Sequence, residues 1–251
     1  MTAKYLHLRY LLTLTLLFSL LFAVLAIHPH DRSDWALENL LVLAFAVALG
    51  LSYRAFPLSR LSYTLIFLFL CLHEVGAHYT YSKVPYDAWM TSAFGVSLNE
   101  LLGWQRNNFD RVVHFLFGAL LVYPIRELYC RVANARGFWG YFFPLELAMA
   151  ASMLYELFEW AAASLFGGDL GVAYLGTQGD IWDAHKDMAL ASLGALITLL
   201  LVLLTNLWLN PNFGQEWRDS LRVKRHRPMG EDELEHLLQD TDQVTDKSSQ
   251  K

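Results

Sequence analysis

The segment TLIFLFLCLHEVGAHYTYSKVP, residues 64–85, begins as unbroken apolar chain and then carries His73, Glu74 and His78. An ionisable side chain at the centre of a membrane helix costs about 3 kcal/mol or more, so three on one helix need a reason. Three further segments behave alike. FDRVVHFLFG offers Asp110 and His114, YELFEW offers Tyr155, Glu156 and Glu159, and GTQGDIWDAHKDM offers Asp180, Asp183, His185 and Asp187. Carboxylates and imidazoles are the groups that accept protons and hold divalent metals. Within a membrane helix they face partners or a water-filled cavity rather than lipid.

Helical spacing sorts these groups. Residues four apart share a helix face, which pairs Glu74 with His78, Asp110 with His114, Tyr155 with Glu159 and Asp183 with Asp187. His73 points elsewhere than His78. Small residues at Gly76, Gly118, Ala161 to Ala163, Ala191 and Gly194 allow the helices to approach closely.

The elements that must position these residues are long apolar runs. The chain has 251 residues, 55% hydrophobic and only 17% charged, against about a quarter charged for a soluble domain. Six segments are long enough to cross a bilayer: about 9–27, 35–53, 61–80, 110–129, 140–165 and 184–209. The first could also serve as a signal peptide, but its apolar run is long and no A-x-A site precedes His28. The expected fold is all-α, a six-span membrane bundle over residues 1–227. An acidic, disordered tail is expected over 228–251.

Lysine and arginine set the expected orientation. With both termini cytoplasmic, the outer side keeps only Arg32, Lys83, Arg106, Arg111 and Lys186 of the 19 bases. All four ionisable segments then bring their acids and histidines to the outer leaflet. The long outer connection, 81–109, reads as an interfacial cap because its aromatics suit the headgroup layer. Cys71 and Cys130 lie at different depths and should not pair. No basic stripe with interleaved aromatics points to nucleic acid.

Three readings of the polar groups compete. One is a structural network that fixes helix register. A second is a catalytic or metal-assisted site at the outer leaflet. The third is a transport or proton-relay path. In the site reading, Glu156 or Glu159 is the general base, because a partly desolvated carboxylate accepts a proton more readily. His78, His114 and Asp187 are then ligands of a divalent metal or proton carriers. His73, Glu74, Asp110, Tyr155, Asp180 and Asp183 complete the pocket. HEVGAH spaces its histidines five apart, not as in the H-E-x-x-H of zinc proteases, so a metal site must be built across helices.

Several smaller signals read as structural. His28 and His30 belong to a loop, and Glu146 pairs with a loop arginine. FGGDLGVAYLGTQGD lacks the order of a phosphate loop and forms a tight turn, with Asp180 or Asp183 capping the next helix. Pro124 kinks or ends its helix.

The blocks LHEVGAHYTY, FDRVVHFLFG, YELFEW and LGTQGDIWDAHKDM, in this order, resemble the YjdF-like family of bacterial inner-membrane proteins. That resemblance implies a compact helical membrane domain and brings no established activity. A more distant similarity is to the VanZ-like superfamily, associated with teicoplanin resistance and the cell envelope. Its D-K-x-x-H-F block matches Asp110, Arg111, His114 and Phe115. Its E-x-x-Q block matches Glu156, with Glu159 in place of Gln, and its D-x-x-x-N-x-x-G block matches Asp187 and Gly194, with Ala191 in place of Asn. The similarity implies envelope-related work at the outer leaflet, and the polar pocket is read as handling a membrane lipid or a lipid-linked envelope substrate.

Overall fold

The structure, a computed structural model, describes residues 3–168 and 177–224, together with 228, 230, 231, 234 and 238. Among the described residues the regular elements are helices: α1 (Ala3–Leu25), α2 (Arg32–Ser52), α3 (Arg60–His78), α4 (Tyr86–Phe94), α5 (Leu98–Leu102), α6 (Phe109–Val132), α7 (Trp139–Phe166), α8 (Asp183–Leu209) and α9 (Phe213–Ser220). Each of the six expected spans appears as one long helix. Five of them, α1, α2, α3, α6 and α8, are long and apolar enough to cross a membrane. α7 has the length, with 28 residues, but carries Glu146, Glu156 and Glu159.

The centre of the bundle is the parallel pair α6 and α8. Glycine makes their contact possible. A Cβ on Gly118 would lie 1.8 Å from the Ala191 carbonyl oxygen, and one on Gly194 would lie 2.1 Å from that of Phe115. Thr198 adds a hydrogen bond to the Ala119 carbonyl at 2.8 Å. Close approach of small residues is how apolar helices associate where lipid removes the hydrophobic drive. α7 packs on both members of the pair, α3 packs on α6, and α1 and α2 lie against α3. α1 is tied to α3 by the Tyr10 and Thr64 hydroxyls, 2.5 Å apart, and to the connection before α3 by His7 Nε2 at 3.0 Å from the Leu58 carbonyl.

Pro124 sits inside α6, which continues to Val132, so the proline does not end the helix. The connection 81–109 folds into α4 and α5, and it exposes Trp89, Phe94, Leu101 and Leu102, as an interfacial cap would. Cys71 and Cys130 are both free. Residues 169–176 of the segment expected to form a glycine-rich turn, and most of the acidic tail, including Leu237, lie outside the described residues. Leu234 and Leu238 are exposed.

Candidate functional site

One end of the bundle gathers the N-termini of α2, α6 and α8 with the C-termini of α3 and α7. Because α6 and α8 are parallel and locked at Gly118 and Ala191, the residues one turn earlier, His114 and Asp187, meet across the seam. Asp110 lies a further turn back on the His114 face. One ligand atom from each of Asp110, His114 and Asp187 falls within 4.8 Å of the other two. His114 Nε2 is 3.6 Å from Asp110 Oδ1 and 3.4 Å from Glu156 Oε1 of α7. Glu159 is buried beside Glu156.

The Tyr155 hydroxyl donates to Glu38 Oε2 at 3.1 Å, and its ring stands edge-on to the His114 imidazole. Glu38 and Asp34 are each 2% exposed and sit one turn apart on α2. Sequence reading missed this pair, although DWALENL carries the same four-residue spacing as the segments it did single out. Glu74, with no exposed surface, has both carboxylate oxygens without a hydrogen-bond partner, beside Asn39 of α2.

His73 and His78 do part company. The chain leaves α3 through Thr80 and Tyr81, both at positive φ, a conformation that non-glycine residues adopt only where surroundings impose it. This turn folds Tyr81 back over Gly76, where a Cβ would lie 2.7 Å from the tyrosine ring. The Tyr81 hydroxyl then meets His73 Nδ1 at 2.5 Å. Burial holds that hydroxyl well above the usual tyrosine range, so it stays neutral. His73 Nε2 is left buried with no partner. His78 turns to the α1–α2 corner instead, with Nδ1 at 2.7 Å from the Leu25 carbonyl, and does not join Asp110, His114 and Asp187.

The mouth of the cluster carries opposite charges. Arg106 donates to Asp183 and, at 2.5 Å, to the Thr177 carbonyl. Arg111 reaches Asp180 at 2.5 Å, Asp183 at 3.3 Å and Asn108 at 3.0 Å. Asp180 also accepts from Lys186 and from the Trp182 backbone, and those two bonds hold its carboxyl well below the usual range. α8 starts without a side-chain cap, so neither Asp180 nor Asp183 has the capping role expected of it. Asp31 is a true cap: its carboxylate accepts from the Asp34 and Ser33 backbone N–H groups, which lower its pKa.

From the cluster an apolar cavity runs between α2, α3, α6 and α7. Its first section, about 310 Å³, is bounded by Leu41, Phe69, Phe117 and Phe158, with His73, Tyr81, Asp110, His114 and Tyr155 at its polar wall. A second section of about 390 Å³ shares Leu41, Phe69, His73, Phe117 and Tyr155 and continues past Phe45 and Leu121. The result is a groove that is polar at one end and apolar along its length.

A family model described as "Predicted membrane protein (DUF2238)" matches residues 10–207. The inner membrane protein YjdF of Escherichia coli (strain K12) is 38% identical over 189 residues, which cover 75% of this chain and 86% of that relative. No solved structure matches.

Proposed function

We propose, for a chain that belongs to the DUF2238 family of predicted membrane proteins, that its pocket takes the headgroup of a membrane lipid or lipid-linked envelope molecule from the periplasmic side. α7 is then the sixth crossing, and the basic end of the bundle is cytoplasmic, following the lysine and arginine bias. The amphiphilic groove carries the reading: a cavity of this kind matches a molecule with a polar head and an apolar chain. The head lies against Asp110, His114 and His73. The chain lies along Leu41, Phe69 and Phe117. In this reading Glu156, buried next to His114, or Glu159 beside it accepts a proton from a bound headgroup or water.

A purely architectural network is the alternative, favoured by the Tyr155–Glu38 and Tyr81–His73 hydrogen bonds. It leaves the groove unexplained. A proton path or transporter is the third reading.

The test is lipid retention. The full chain, purified in mild detergent, is expected to keep one lipid class in fixed ratio, and filling the groove with Leu41→Trp or Ala151→Phe is expected to release it. Equal lipid content in wild type and both folded variants would refute the proposal.

A further inference from the structure

Among the polar groups at this end, Asp110, His114, Glu156 and Asp187 form a unit that hydrogen bonds and ion pairs do not balance. Three carboxylates surround one imidazole, which can carry one positive charge at most. The nearest cations, Arg106 and Arg111, act on Asp110 and Asp187 only at a distance, since their terminal nitrogens bond Asp183, Asp180 and Asn108. Two oxygens make the deficit concrete. Asp187 Oδ1 and Glu156 Oε1 are buried and make no hydrogen bond, in residues 2% and 9% exposed, and Glu156 Oε1 has only the shared His114 imidazole nearby. A buried charge without a partner costs several kcal/mol, and a divalent cation is a compact way to neutralise it.

We propose that Asp110, His114 and Asp187 bind one divalent first-row transition metal, with Glu156 beside the ion. The geometry requires little movement. Metal–ligand bonds near 2.1 Å put ligand atoms about 3.0–3.5 Å apart. His114 Nε2 already lies 3.6 Å from Asp110 Oδ1 and 3.4 Å from Glu156 Oε1. Closing the remaining gap to Asp187 takes a side-chain rotation, because the glycine contacts fix the two backbones.

The donor set selects the ion. An imidazole among carboxylates suits zinc, iron or manganese, whereas calcium and magnesium prefer oxygen alone. Three protein ligands leave at least one position open, as in metal sites that take a water or a substrate atom. Asp110 and His114 both line the cavity, so the open position lies on its side of the ion. This deepens the headgroup reading by giving the pocket an electrophile for an anionic head, but its test does not depend on lipid.

The experiment titrates the chelator-stripped full chain in detergent with Zn²⁺, followed by calorimetry and by melting temperature, and repeats it with Co²⁺ followed by its visible absorption. One equivalent should bind, raise the melting temperature and give the intense visible bands of a low-symmetry cobalt site. Asp187→Asn and Asp110→Asn should each weaken Zn²⁺ by more than the roughly 10–100-fold that changes outside the ligand shell cost, and Glu127→Gln, at the opposite end, should not. If a variant fails to fold, the cobalt spectrum of the wild type still decides. No saturable binding to the wild type, or equal binding by folded Asp187→Asn and Asp110→Asn, overturns the assignment and leaves protons to neutralise the cluster. The lipid proposal stands or falls separately on the groove variants.

Discussion

The two ends of the bundle differ in how completely they satisfy their carboxylates. At the basic end, Glu127 of α6 accepts from the Ser59 backbone at 2.9 Å, from the Ser62 hydroxyl at 2.5 Å and from Arg131 at 2.6 Å. Arg131 in turn donates to the Pro57 carbonyl at 2.7 Å and lies 4.2 Å from the centre of the Phe56 ring. Arg126 rests on the Tyr141 ring, and α9 docks on the α6–α7 turn through Ser220, which accepts from the Phe138 backbone. At the other end, Glu74, Glu156 and Asp187 keep buried oxygens that make no hydrogen bond, the Glu156 one having only the His114 imidazole 3.4 Å away. A network that serves architecture looks like the first. One held ready for a ligand looks like the second, since unsatisfied buried polar atoms lower stability unless something binds them.

The comparison breaks most completely if the seam joining the two ends is forced apart. Gly118→Val puts atoms against the Ala191 carbonyl, and a loss of about 3 kcal/mol is expected from overpacking, read as a fall in melting temperature. Glu127→Gln comes next. It removes a charged acceptor from a satisfied network and should cost about 2 kcal/mol; a loss near zero would show that the basic end is no more structural than its opposite.

Smaller effects belong to the acidic end. Tyr81→Phe takes the partner from His73 Nδ1 and should cost about 1 kcal/mol. Gly76→Ala should reproduce part of that loss by displacing the tyrosine ring, visible as a change in near-ultraviolet circular dichroism. Asp187→Asn in the metal-free chain should change stability by less than about 1 kcal/mol, with a gain the expected sign, because it removes a buried charge but leaves a buried amide short of partners in its place.

Acid sharpens the contrast at the mouth. The Asp180 carboxyl lies below its unfolded value, held there by Lys186 and the Trp182 backbone. Its contribution to stability is therefore complete above the unfolded pKa of about 3.9 and is lost as pH falls towards the folded value. Melting temperatures measured across that range should drop less in Asp180→Asn than in wild type.

Much of this was legible in the chain itself. Apolar length located every long helix, and four-residue spacing placed Asp110 with His114 on one face. The free cysteines followed from their separate depths. The same arithmetic failed at chosen points. Asp34 was overlooked because it adjoins the loop of His28 and His30, and Glu38 because it stands as the lone acid of the expected span 35–53. His78 was grouped with His114 because both lie at the same end, yet one helix turn rotates it to Leu25. Glu146 is exposed on α7 and, among the described residues, lacks the ion pair to a loop arginine expected for it.

Sequence by itself determined the helices, their apolar faces and the end at which acids and histidines accumulate, because periodicity and hydropathy are properties of one segment at a time. Only the tertiary structure decided which faces meet. The Gly118–Ala191 contact brings Asp187 to His114, and the strained Thr80–Tyr81 turn gives His73 its partner. Both are contacts between separate pieces of backbone, and no single helix encodes its neighbour.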